Sequence, residues 1–260
     1  MAITLRSRRE IELMYEAGRV VANVLSKLQE IAEPGVSTGQ LDAVAAKMTA
    51  EAGAEPLFKG VRSPLAREPF PACICASINE QVVHGIPSEN VKLARGDILS
   101  IDFGVRLNGY CGDAAVTFGI GEVVQEKLRL MQVTKAVLNM AIDNARPGVK
   151  WSQIAGQMQQ YAESAGFSVV RDFVGHGIGK KMHEEPRVPN FVSRDLLEDD
   201  ILLAEGMVLA VEPMINAGGY DVRTLKNGWT VVTKDGRCSA HFEHTIAIVK
   251  GGCEVLTGGK

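Results

Sequence analysis

Apolar residues recur at helical spacing from the start of the chain. After Ser7-x-x-Glu10, a capping-box pattern, come Ile11, Met14, Ala17, Val21, Val24, Leu25 and Leu28, which fall on one face of a 3.6-residue period. Pro34-Gly35 stops this helix because proline cannot continue the backbone ladder. A second helix, opened by Ser37-x-x-Gln40, carries Leu41, Val44, Ala45 and Met48 and ends at Ala52-Gly53. The plan then returns. A helical stretch from about 124 to 145 carries Leu128, Met131, Val137 and Met140 and stops at Pro147-Gly148, and the helix after it stops at Ala165-Gly166. Both stops recur 113 residues after their first copies.

The strand-like runs repeat as well. LARGDILSID at 93–102 aligns with LAEGMVLAVE at 203–212, so that Gly96 meets Gly206, Ile101 meets Val211 and Asp102 meets Glu212; further on, Tyr110 meets Tyr220. Matches in order at near-constant offsets point to an internal duplication. The expected fold is α/β (α+β), with two helix–helix–strands units packed about an approximate twofold axis as a single domain over 1–260. The halves are expected at about 7–120 and 121–250. A site between them would draw equivalent residues from each, with Asp102 and Glu212 as the obvious pair.

Three acids interrupt runs that otherwise read as strands: Asp102 in ILSIDFGV, Glu212 in MVLAVEPMI and Glu243 in AHFEHTIAIV. A lone buried carboxylate costs several kcal/mol, so it must be paired, protonated or bound to a cation. Few basic partners sit in these strands. The five histidines, His84, His176, His183, His241 and His244, all lie in short segments rich in glycine, proline or acids, such as HGIP, GHGIG and HEEP. One or two histidines among several carboxylates make an oxygen-rich donor set, suited to Mn²⁺ or Fe²⁺ and tolerant of Co²⁺ or Zn²⁺. Bridging carboxylates can hold two such ions.

Composition narrows the field further. Apolar residues make up 46% and charged residues 23% of 260 residues, as in an ordinary globular chain, and the net charge of −3 gives no basic excess for nucleic acid or anionic membrane. The opening MAITLRSRRE has no apolar core before a small-residue cleavage site, so no secretory signal is expected. No apolar run approaches a bilayer span. The five cysteines, Cys73, Cys75, Cys111, Cys238 and Cys253, are odd in number and form no CxxC pair, which suits reduced thiols in a cytoplasmic protein.

The ordered set HGIP, ID…GD, GHGIG…HEEP, VEP, FEHT resembles the type I methionine aminopeptidases of the pita-bread fold, and the resemblance runs from the first helix to about residue 250. That fold is a duplicated α/β unit around a curved antiparallel sheet. The resemblance implies two divalent metal ions (Co, Mn, Fe or Zn) held by Asp102, Asp113, His176, Glu212 and Glu243, with Asp113 and Glu243 bridging. It implies hydrolysis by a metal-bridged hydroxide, with Glu212 accepting the proton of the water. His183 would stabilise the oxyanion and His84 would bond the scissile region. Cys75, Trp229 and Phe58 would line the substrate pocket. The implied activity is removal of the initiator methionine from nascent proteins, with a small second residue preferred. The implied setting is a cytoplasmic monomer acting on nascent polypeptide N-termini, with transient ribosome association and no DNA or membrane partner. By that rule Ala2 makes the chain a substrate for its own activity.

The sequence also departs from the family pattern. Met182 replaces a phenylalanine, Phe58 and Val61 stand where tyrosines are usual, Cys111 replaces a histidine beside Asp113, and His241 replaces a glutamine near Glu243. The Pro-rich stretch 61–72 (VRSPLAREPFPA) is longer than the pattern requires and reads as a surface loop near the pocket mouth. His244 shares the face of Phe242 and Ile246, so a structural role is expected for it. The Lys180-Lys181 pair is too short to define a nucleic-acid surface. Rival readings are a proline-specific peptidase of the same fold, a metal-free creatinase-like enzyme, and a non-enzymatic peptide- or ribosome-binding relative. The filled ligand positions weigh against the last two.

Overall fold

The computed structural model describes residues 3–259; Met1 and Ala2, the self-processing sequence noted above, lie outside the described residues. Five helices are present among those described: α1 (Arg8–Ile31), α2 (Thr38–Glu51), α3 (Gln125–Asn144), α4 (Trp151–Ser164) and α5 (Arg194–Glu198). Both expected capping boxes form. The Ser7 side chain accepts from the Glu10 amide while Glu10 accepts from the Ser7 amide, and Ser37 with Gln40 does the same. Such reciprocal bonds satisfy amides that the first helical turn leaves orphaned. The expected stripe on α1 is the one that is buried. On α3 the face is rotated: Leu130, Val133, Thr134, Val137, Leu138 and Ala141 are buried, whereas Leu128 is exposed and Met140 is half-buried. Packing against α4 and the sheet selects that face, and the chain had apolar residues to spare on either side of it. None of the helices is long and apolar enough to cross a membrane.

The strands up to residue 119 are β1 (Glu55–Pro56), β2 (Cys75–Ile78), β3 (Gln81–Val83), β4 (Ile98–Leu107) and β5 (Tyr110–Gly119). Beyond α4 come β6 (Ser168–Val169), β7 (Gly175–Gly177), β8 (Glu184–Val188), β9 (Val208–Val211) and β10 (Met214–Asn216). The last are β11 (Val222–Thr224), β12 (Val231–Thr233), β13 (Ser239–His241), β14 (Glu243–Val249) and β15 (Gly252–Val255). One antiparallel sheet runs β1-β4-β5-β14-β9-β7-β8, with β2 on β4 and β15 on β14. Small three-stranded sheets, β13-β10-β6 and β11-β12-β3, flank it.

The duplication appears as matching hydrogen bonds. Gly35 N–H donates to Leu93 O at 2.8 Å, and Gly148 N–H donates to Leu203 O at 2.8 Å. Leu93 N–H reaches Val36 O and Leu203 N–H reaches Val149 O, both at 2.9 Å. Gly96 and Gly206 both sit at φ 91°, a left-handed conformation that glycine adopts without steric cost. Each half has its own core. Ala17, Val21, Leu28 and Leu41 pack on Leu99, Ile101 and Phe103, and Leu138, Trp151, Ile154 and Met158 pack on Leu209, Val211, Ile246 and Ile248.

The copies differ in two instructive places. Asp102 lies mid-strand in β4, but Glu212 falls in the break between β9 and β10, where Pro213 cannot donate to a ladder. Tyr110 is buried and donates to Glu10 at 3.0 Å, whereas Tyr220 is exposed beneath the guanidinium of Arg171.

Candidate metal centre

Strand register brings the acids together. Cross-strand partners point their side chains to the same face, as do residues two apart on one strand. Asp102 is paired with Ala115, and Ala115 with Glu243, so these three share a face with Asp113. His176 is paired with Ala210, and Ala210 with Thr245, which places His176 and Glu212 on that same face. Thus β4, β5, β14, the end of β9 and β7, neighbours in that order, each supply one residue. The alternate residues of these strands, Ile101, Phe103, Leu209, Val211, Ile246 and Ile248, face the helices. Small residues make the room: a Cβ on Gly104 would lie 2.7 Å from Asp113 Oδ1. Thr245 Oγ1 accepts from the Asp113 amide at 3.1 Å and donates to the Asp113 carbonyl at 2.8 Å, pinning that residue where the β5–β14 ladder ends.

The electrostatics of the cluster call for cations. One donor atom each from Asp113, His176 and Glu243 lie within 4.8 Å of one another. Asp102 Oδ1, Asp113 Oδ1 and Glu243 Oε1 are buried without hydrogen-bond partners. Among the described residues these acids face one another and histidines, with no lysine or arginine ion pair. Burial, then repulsion among the acids, pushes Asp102, Glu212 and Glu243 well above the usual carboxylate range, and burial raises Asp113 to about 7. The His176 Nδ1 lies 2.9 Å from Gly177 O, so that nitrogen carries the proton and its Nε2 lone pair faces Glu212 Oε1 at 3.6 Å. Two electron-rich atoms held face to face in a buried site leave a place for a metal ion. Four carboxylates and one imidazole fit divalent ions that prefer oxygen donors.

The acids close one end of a cavity of about 200 Å³. Its other walls are Phe58, Val61, Phe70, Cys75, Met182 and Trp229, with His84 and His183 between the two ends. His84 sits in the tight turn at φ 58°, with its ring edge-on to Phe173 at 5.6 Å. Burial, then repulsion from His183, lowers His84 to about 4, so it is neutral at pH 7. Burial also lowers His183, whose ring lies 4.3 Å from that of His176 at 73°. Every site residue expected from sequence therefore lies at the acidic cluster or on the cavity wall.

Two residues in the site were not foreseen. Phe70 belongs to the stretch expected to be only a surface loop, yet it is 3% exposed and lies edge-on to Trp229 at 5.2 Å. The stretch folds back on itself through Gly60 N–H to Phe70 O and Phe70 N–H to Val61 O, both 2.8 Å, and is strapped down by Trp229 Nε1–H to Glu68 O at 3.0 Å. An aromatic residue in a Pro-rich run was the available signal. The other is His241, noted from sequence only as a departure near Glu243, whose Nε2 lies 3.6 Å from Glu212 Oε2. His244 does fill a structural place, with Nδ1 2.9 Å from Thr257 Oγ1.

Comparison with known proteins agrees with this geometry. Residues 12–250 match the metallopeptidase family M24. A methionine aminopeptidase of Clostridium perfringens is 47% identical over 255 residues, covering 98% of each chain. The crystal structure of a methionine aminopeptidase from Thermotoga maritima superposes with a TM-score of 0.93 at 37% identity, covering 99% of this chain and all of that one. The prolidase of Pyrococcus furiosus shares the fold at 20% identity and a TM-score of 0.74, and this chain spans only 66% of its length. The chain belongs to the M24 metallopeptidases and, within them, to the methionine aminopeptidases.

Proposed function

We propose that this enzyme removes the initiator methionine from nascent proteins, preferring a small second residue, with two divalent ions held by Asp102, Asp113, His176, Glu212 and Glu243. The observation that carries the reading is the cavity itself, apolar at one end and lined with partnerless carboxylate oxygens at the other. The ions would be Mn²⁺, Fe²⁺, Co²⁺ or Zn²⁺, and Asp113 and Glu243 would be shared between them. When bound, they polarise the scissile carbonyl and make water acidic enough to ionise near neutral pH.

The protein's own groups do the rest. Phe58, Phe70, Cys75, Met182 and Trp229 enclose the methionine side chain, and thioether sulfur packs favourably against aromatic rings. The carboxylate end receives the free amine, which restricts the reaction to chain ends. Glu212 accepts the proton of the attacking water. His183 donates to the oxygen on which negative charge develops, a contribution of about 3–4 kcal/mol where a comparable donor is removed, and His84 bonds the scissile amide. The 1–260 chain acts as a single catalytic domain with halves at about 7–120 and 121–250. It works in the cytoplasm as a monomer on emerging N-termini, with transient contact to the ribosome.

The test is release of methionine from a Met-Ala-Ser peptide by metal-stripped protein after each ion is added back, with Leu-Ala-Ser as control. Metal-dependent cleavage of the methionine peptide alone is expected. It should be lost in Asp113→Asn and reduced about 100-fold or more in His183→Ala. No release with any ion, from folded protein, would refute the reading.

A further inference from the structure

His241 has no part in the functional scheme above, yet it is 1% exposed and its Nε2 has no hydrogen-bond partner among the described residues. Its backbone is fixed on both sides, since its amide donates to Thr117 Oγ1 at 2.8 Å and its carbonyl accepts from the same hydroxyl at 2.7 Å. The β10–β13 register pairs His241 with Met214, two residues beyond Glu212, which brings the imidazole beside that carboxylate. Asn190 Nδ2 holds the Glu212 carbonyl at 3.2 Å, so the backbone of Glu212 is tied as well.

The two oxygens of Glu212 therefore have different neighbours. Oε1 faces the lone pair of His176 Nε2, and Oε2 faces His241 Nε2, each at 3.6 Å. Once Glu212 is ionised to hold metal, a lone pair on His241 Nε2 would repel its carboxylate. A proton there gives the buried nitrogen an acceptor and gives Oε2 a donor, and a buried polar group left unpaired is costly. We propose that His241 is a positioning residue whose Nε2–H donates to Glu212 Oε2, so that Oε1 is left to the metal ions. This rests on Glu212 being a metal ligand. Fixing a ligating carboxylate from behind removes its freedom to turn away, and loss of such outer partners weakens metal binding by about 10–100-fold.

The experiment compares full-length wild type with His241→Leu, which fills similar space without a donor, and His241→Gln, whose amide restores one. Folding is checked by circular dichroism. Mn²⁺ affinity is read by titration calorimetry, and site geometry by the visible absorption of the Co²⁺ form. His241→Leu should bind Mn²⁺ about 10–100-fold more weakly and show a changed Co²⁺ spectrum, while His241→Gln stays near wild type in both. Unchanged affinity and spectrum in folded His241→Leu would overturn the proposal, as would equal losses in both variants, which would mark a packing role. Long-range ¹H–¹⁵N spectra of the Zn²⁺-loaded wild type test it without any substitution. They should place the neutral proton of His241 on Nε2 and that of His176 on Nδ1; a His241 proton on Nδ1 overturns the proposal. If folded wild type itself binds none of the ions, the metal reading fails, whereas bound metal with a His241 proton on Nδ1 refutes this proposal alone.

Discussion

Replacing Asp113 by asparagine should stabilise the metal-free protein while abolishing its response to metal. The carboxyl of Asp113 is ionised in an unfolded chain above about pH 4, but burial holds it protonated up to about 7 in the fold. Its folded value is raised, so the stability of the protonated form is complete below pH 4 and is lost as pH climbs toward 7. About three pH units at 1.36 kcal/mol each amount to roughly 4 kcal/mol at pH 8. For a chain of 260 residues, an unfolding entropy of about 2.1 cal/mol/K per residue turns this into about 7 °C. Asparagine has nearly the same shape and no charge to lose. By scanning calorimetry with a chelator at pH 8, Asp113→Asn should melt about 7 °C above wild type, and at pH 5 the gap should shrink to about 3 °C on the same reckoning. With Mn²⁺ at a hundredfold excess over Kd the gap at pH 8 should close to about 2 °C, because wild type alone collects the binding free energy, about 2.7 kcal/mol. A stripped variant that melts at or below wild type at pH 8, or a gap independent of pH, would refute the reasoning.

Three further outcomes follow from the pocket and its frame. Phe70→Ala removes one wall of the apolar end and should lower kcat/KM for Met-Ala-Ser about tenfold or more, whereas Leu65→Ala, at a position 71% exposed on the same loop, should leave it unchanged. Gly228→Ala should raise KM and increase proteolytic nicking within 61–72, because residue 228 sits at φ 74° and a Cβ there would lie 2.2 Å from Leu65 O. Gly104→Ala should weaken Mn²⁺ binding by about 10–100-fold in calorimetric titration, since the added methyl would lie 2.7 Å from Asp113 Oδ1.

What could be read from sequence was what is local or periodic. The two capping boxes are four-residue patterns, and both form as written. The repeat survived because Gly96 and Gly206 require the same backbone turn and tolerate no other residue type cheaply. The clustered acids stood out because a charge in an apolar strand demands an explanation. What escaped depends on contacts between distant segments. The helical period on α3 was visible, but the choice between Leu128 and Leu130 as the inward residue is made by α4 and the sheet. Glu212 read as a strand residue, and only Pro213 beside it signals the break in which it sits. His241 was legible as a departure near Glu243, but its nearness to Glu212 comes from β13 pairing with β10. Phe70 lay in a proline-rich run, where turn chemistry says that the chain bends but not what it bends onto.

The matching bonds of the two halves describe a pair of half-length units around an axis. A strictly symmetric pair would present a bound peptide with the same surroundings from either side, and the peptide could lie in both senses. In this chain the copies have drifted apart at the places that matter. Both halves supply acids to the floor, Asp102 and Asp113 from the first and Glu212 and Glu243 from the second, but the oily wall is drawn unevenly, with Phe58, Phe70 and Cys75 from the first and Met182 and Trp229 from the second. The drift gives the cavity a polarity, and on the proposed function polarity would give a bound chain a heading: thioether against the rings, amine against the acids, and the remainder of the polypeptide trailing outward past His183.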